Sequence, residues 1–106
     1  MAELAYVEVI DRYAGVLFDY MFDFEGYLSS DDAIVYSVVA VALDSQGNDV
    51  SADVILDSLN SGTQVTMKID TQSVEQAYTI SVTVTDSNDN PSTQVLVVNV
   101  SVPGDY

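Results

Sequence analysis

AYTISVTVTDSNDNPSTQVLVVNVSV, residues 77–102, decides the fold. Over residues 78–86 apolar and polar side chains alternate without a slip as far as Thr85, the period of a half-buried strand. Tyr78, Ile80, Val82 and Val84 share one face, and the threonines and serine share the other. Residues 93–102 form the partner strand, with Leu96, Val98, Val100 and Val102 as its better apolar face. Val95 and Val97 add apolar surface on the opposite face, which implies that a neighbour covers that side. The intervening residues 87–92 hold Asn, Asp and Pro, the residues favoured where a chain reverses. Two strands joined by such a turn read as an antiparallel hairpin.

The turn itself admits a second reading. Asp86-Ser87-Asn88-Asp89-Asn90-Pro91 resembles the D-x-N-D-N-x-P run that helps hold calcium at the end of a cadherin repeat. In a cadherin that run follows the last strand of the repeat, whereas here a full strand comes after it. The acidic motifs that a cadherin supplies from other loops are also missing, and Asp11-Arg12-Tyr13 does not reproduce them. A polar turn without metal is therefore expected.

Moving upstream, residues 63–70 alternate again with Val65, Met67 and Ile69 inward, after a turn at Asn60-Ser61-Gly62. Asp53-Val54-Ile55-Leu56 reads as a short strand. The oxygen-rich stretch 44–49 lacks EF-hand spacing and a closing glutamate, so it is expected to be a loop. Residues 33–43 form an apolar run interrupted only by Ser37, the pattern of a strand covered on both sides or central in its sheet. Residues 16–24 make one more strand. In it Phe18, Tyr20, Phe22 and Phe24 share one face and Asp19 and Asp23 the other, so the aromatics are expected to supply core. Short strands between turn signals, with no long helix, predict an all-β protein. The expected form is an immunoglobulin-like β-sandwich of about six to eight antiparallel strands. Tyr78 is placed either like the tyrosine corner of such domains or as a plain core aromatic.

Composition narrows the function. A chain of 106 residues predicts one domain. Seventeen acidic residues against Arg12 and Lys68 leave a formal charge of −15, which repels phosphate backbones and anionic membranes. Nucleic acid and membrane are therefore not expected partners; basic protein surfaces, other copies of the chain through neutral faces, or cations are. With no cysteine and no histidine, disulfides, thiolate or imidazole metal sites and His-dependent catalysis are excluded. Carboxylate pairs such as Asp31-Asp32 or Asp19 with Asp23 remain, but nothing marks an apolar cleft around either. No catalytic, cofactor-binding or metal residue is expected. The start of the chain shows neither a basic n-region nor a long apolar run, so no signal peptide is expected.

Residues 11–34 carry a more specific signal. Asp11, Val16, Asp19-Tyr20, Phe22-Asp23-Phe24, Leu28, Asp32 and Ile34 follow in the order found at the start of a family of small virion proteins. The chain resembles these fibre-tail adaptors of tailed bacteriophages. Their pattern runs roughly D-P-x-x-V-x-D-Y-x-F-D-F-x-x-W-L, then an acidic loop and a strand opening with Ile. Tyr13 near the usual proline and Tyr27 for the usual tryptophan depart from it. Ser61-Gly62-Thr63 and Tyr78-Thr79-Ile80 match the family's second half, so the likeness spans residues 11–102. It implies a structural protein of the virion tail, made in the bacterial cytoplasm and present in several copies. Its role would be to join the tail tube or hub to a fibre or tailspike, with no active site. A capsid decoration or neck protein of the same fold is the nearest alternative, and a calcium-dependent adhesion module a more distant one.

The expected organisation is an N-terminal arm at 1–15, the sandwich at 16–102 and a tail at 103–106. The arm holds Leu4, Tyr6, Val7, Val9 and Ile10, too apolar for a free segment. It reads either as an extra edge strand or as a strand that pairs with a neighbouring molecule's sheet. The second is preferred because the sandwich looks complete from Val16 onward, which makes those five residues the candidate docking site.

Overall fold

The computed structural model describes residues 6–30 and 32–102, and the side chain of Tyr6 is not among what it describes. The elements in chain order are β1 (Tyr6–Tyr13), β2 (Leu17–Asp23), β3 (Val35–Leu43), α1 (Ser51–Val54), β4 (Ile55–Ser61), β5 (Gln64–Asp70), β6 (Gln76–Asp86) and β7 (Pro91–Ser101). They form a four-stranded sheet in the order β1-β7-β6-β3 and a three-stranded sheet in the order β2-β5-β4. The protein is thus all-β, with two sheets arranged as a β-sandwich.

Period-2 alternation fixes which side of each strand meets the core. From β6, Tyr78, Ile80, Val82 and Val84 are buried, and from β7, Leu96, Val98 and Val100. Opposite them lie Phe22 and Phe24 with Val65, Met67 and Ile69 of β5, all in one cluster. Phe18 and Tyr20 pack at its margin, and the Tyr20 and Phe22 rings meet edge to face with centroids 4.8 Å apart. The expected inward faces of these strands therefore hold. Tyr78 is buried, but its hydroxyl accepts from the Gln76 side chain (3.1 Å) rather than reaching upstream backbone as in a tyrosine corner.

The hairpin is present as expected. Thr85 pairs with Pro91, the Asp86 N–H reaches the Asn90 carbonyl (3.0 Å), and Asp89 takes a positive φ of 64° to close the turn. At the core end of β7 the sequence expectation slips. Val102 lies beyond the strand and is exposed, while Gln94 is buried and donates through Nε2 to the Asp23 carbonyl at 2.7 Å.

Three further corrections follow from tertiary contacts. First, residues 6–13 are not an arm separate from a sandwich that begins at 16. They form β1, which runs parallel to β7 from Tyr6 opposite Gln94 to Tyr13 opposite Ser101, so the strands are not all antiparallel. The cause lies in residues 14–16, which carry the chain from one sheet to the other. Gly15 adopts φ 79°, and its N–H meets the Gln72 carbonyl at 2.6 Å. The buried Thr71 hydroxyl donates to the Tyr13 carbonyl (2.9 Å) and accepts from the Val16 N–H (3.0 Å). Both ends of the crossover are thereby tied to the loop after β5.

Second, β3 is an edge strand rather than a central one. Its inward residues Val38, Ala40 and Ala42 are mostly small, and Tyr36 and Val39 are 74% and 64% exposed. Third, the strand expected at residues 53–56 holds only from Ile55, because Asp53 and Val54 belong to a helical turn. Asp49 accepts from both the N–H and the hydroxyl of Ser51 (2.9 and 2.6 Å), and the Ser51 hydroxyl oxygen accepts from Ala42 N–H (2.9 Å). That coils Ser51–Val54 into a single helical turn which buries Val54, and β4 starts only at Ile55.

Candidate docking surface

Along β1 the alternation sorts the expected docking residues. Val7 and Val9 point away from the core and are 56% and 58% exposed. Ile10 faces inward and packs on the core cluster, so it is not available to a partner. Arg12 shares that inward face, its guanidinium 4.7 Å from the centre of the Phe18 ring, a cation–π contact at the sandwich margin. Nearby, burial raises the Tyr20 hydroxyl above its usual pKa, Glu8 adds to the rise, and Arg12 opposes it. Tyr6 belongs to β1 by its backbone, and Leu4 lies outside the described residues.

The register gathers Val7 and Val9 into a larger surface. Going across the four-stranded sheet from β3, the outward side chains align as Val41, Ser81, Val95 and Val7. The next row is Leu43, Thr79, Val97 and Val9. Before them comes Val39, Thr83 and Thr93, with the two threonine hydroxyls 3.0 Å apart. These rows contain only aliphatic and hydroxyl side chains. No described element packs over this face, so the cover that Val95 and Val97 implied does not come from the described chain. This is the surface that a reading confined to the first ten residues missed. Its signal was the apolar second face of β7.

Charge surrounds these rows without entering them. Asp11 follows Val9 on the same side of β1 and accepts from the Asn99 amide at 3.3 Å. The turn after β3 carries Asp44 and Asp49, Glu75 precedes β6, and Asp89 sits in the β6–β7 turn. Asp44 takes N–H donors from Gln46 and Asn48 (both 2.9 Å), and these, with Asn48 foremost, hold its carboxyl below the usual range. Asp49 is lowered likewise, chiefly by the Ser51 hydroxyl. Neither cation serves this side. Arg12 turns inward, and Lys68 lies on the other sheet, 3.2 Å from Asp19 and paired in register with Asp57.

At one end of the sandwich a buried carboxylate organises two loops. One Asp86 oxygen accepts from the N–H groups of Asn88 (2.8 Å) and Asn90 (3.0 Å), and the other from Ser29 N–H (2.9 Å). The Ser29 hydroxyl first, then these N–H groups, pull its pKa down to about 2 against the opposing effect of burial. The oxygens that a cadherin-type site would offer to calcium are thus turned toward amide donors. Among the described residues no group of three or more acidic side chains is placed to hold a metal ion. Tyr20 and Tyr27 line one shallow groove with Met21, Asp23, Glu25 and Gln94. Among the described residues no helix is long and apolar enough to cross a membrane. The chain matches no protein-family model and no curated protein.

Proposed function

We propose that this chain is a non-catalytic docking module, an adaptor of a bacteriophage tail that joins tail tube or hub to a fibre or tailspike. The observation that carries the docking role is the set of uncharged rows on the outer face of the β1-β7-β6-β3 sheet, on a chain of net charge −15. A soluble domain gains nothing in its own stability from exposing Val7, Val9 and Val39 together, whereas a partner surface laid over them does. The virion context rests on the likeness of residues 11–102 to fibre-tail adaptors.

The strand order supports an immunoglobulin-like form of the sandwich. β2, β5 and β4 fall as strands B, E and D of that fold, and β3, β6 and β7 as C, F and G. The first strand departs from the constant-type arrangement, since β1 joins the sheet of β7 instead of that of β2. On this reading several copies sit around the tail axis, each a rigid block between two neighbours, with neither nucleic acid nor membrane as partner.

The test is location. Antibody raised to the purified domain and detected by gold label on intact particles should mark the tail. Label over the head would favour the capsid-decoration reading, and absence of the protein from purified particles would overturn both.

A further inference from the structure

We infer that the outer face of the four-stranded sheet takes a basic heterologous partner, a protein surface with an apolar centre ringed by Lys or Arg, and not a second copy of this chain. The inference rests on the docking reading above and names the chemistry of the partner.

Area and charge carry it. Strands about 4.8 Å apart and outward residues about 6.8 Å apart give the uncharged rows a footprint on the order of 300–400 Å². A stable interface takes roughly 800 Å² from each side, so the apolar rows alone do not make one. The remaining contact must fall on the surround, which carries Asp11, Asp44, Asp49, Glu75 and Asp89. Of the two cations, Arg12 lies over the Phe18 ring on the inward side with Nη1 donating to the carbonyl of its neighbour Asp11 (2.8 Å), and Lys68 pairs with Asp19 on the other sheet. Two copies set face to face would therefore bring acid against acid with no compensating cation. A partner with a basic ring turns the same carboxylates into attraction, which also speeds encounter. Hydrogen bonding keeps Asp44 and Asp49 ionised well below neutral pH, so their contribution holds across the physiological range.

The probe is a synthetic β-hairpin peptide with Val and Tyr on one face and Lys at its ends, beside an analogue bearing glutamate for lysine. Backbone amide shifts of the labelled protein are followed during titration. The expected result is that the lysine peptide shifts Val9, Thr79, Ser81 and Val97, and that the glutamate analogue shifts none of them. Raising salt from about 0.1 M to about 1 M shortens screening from roughly 10 Å to roughly 3 Å and should weaken binding about tenfold. Val9→Glu should weaken it about tenfold as well, as removing an interface anchor does. Val39→Glu, at the far side of the sheet, serves as the second variant should the first not fold. Concentration-dependent shifts of the same residues without peptide would mean self-association and overturn the inference. Shifts centred on Asp19, Asp57 and Asp70 of the other sheet, or none at millimolar peptide, would overturn it too. Because this assay uses the isolated protein, it fails or succeeds independently of where the chain lies in a particle.

Discussion

Replacing Thr71 by valine tests whether β1 is integral to the sandwich. The side chain is fully buried, and its hydroxyl spans the crossover by donating to Tyr13 and accepting from Val16. Valine keeps the shape and removes both bonds. Tyr13 ends β1 with an exposed side chain, so water can take over at its carbonyl. The Val16 N–H is half-buried and loses its acceptor, and an unsatisfied donor costs about 1–3 kcal/mol. The methyl gained returns less than ~0.8 kcal/mol, because the hydroxyl already filled the volume. The net expectation is a loss of about 1–2 kcal/mol, or ~5–15 °C in melting temperature for a domain of this size. Thr71→Ser is the control, since it keeps the hydroxyl and gives up only a methyl, at about 1 kcal/mol. Urea titration at constant slope measures both, and hydrogen exchange at Val16 should accelerate only in the valine variant. A valine variant more stable than the serine variant would refute the role given to the hydroxyl, and with it the argument that the crossover pins β1.

Deleting residues 1–13 should lower stability by several kcal/mol in a melting experiment, because it strips the β7 edge and uncovers the margin where Ile10 and Arg12 pack; an unchanged midpoint would show that β1 contributes little to the sandwich. Phe22→Ala and Tyr78→Ala each remove a side chain that is 2% exposed and should cost ~3–5 kcal/mol, enough to unfold much of the population; near-normal melting of either would contradict the core assignment. For Asp86 the folded pKa of about 2 lies below the ordinary aspartate value of 3.8, so its contribution is present above about pH 4 and is lost as the pH falls toward 2. Asp86→Asn should flatten that part of the stability profile, and a profile of unchanged shape would place the acid sensitivity elsewhere.

What could be read from the sequence is what period 2 determines. In β2, β5, β6 and β7 the buried inward positions are apolar apart from Asp86 and Gln94, and most of the outward ones are polar, so a one-residue slip would have been visible at once. In β3 the run of Val and Ala is apolar on both faces, and alternation cannot tell a covered strand from an edge strand with an open apolar face. The β1 assignment failed for a different reason. What ties it down is the hydroxyl of a residue 55 positions downstream of Val16, which no local pattern reveals. Likewise Ser51–Val54 coils because Asp49 and Ala42 both bond to Ser51, a contact made only once the loop has closed. The docking residues were legible in part. Applying the same alternation to residues 7–10 separates Val7 and Val9 from Ile10, but the charge-free rows exist only once register has placed Val95, Val97 and Val41 beside them.

The edges of the two sheets bear on how such a domain docks. An exposed strand invites pairing, and folded proteins blunt it with charge, bulges or irregularity. β1 carries Glu8, Asp11 and Arg12 along its length, and β2 carries Asp19 and Asp23. β3 slips register between Val35 and Ser37, which throws Tyr36 outward, and β4 slips between Ile55 and Asp57. Every edge strand of both sheets thus has a charge or a bulge that obstructs a regular ladder with another chain. The outer face of the four-stranded sheet has no such obstruction within its rows. Strand addition through residues 1–10 was the natural expectation while they counted as an arm. With residues 6–10 committed to β7, their outward valines extend that face, so the contact proposed for this domain is one of side chains across a sheet surface rather than of main chain along an edge.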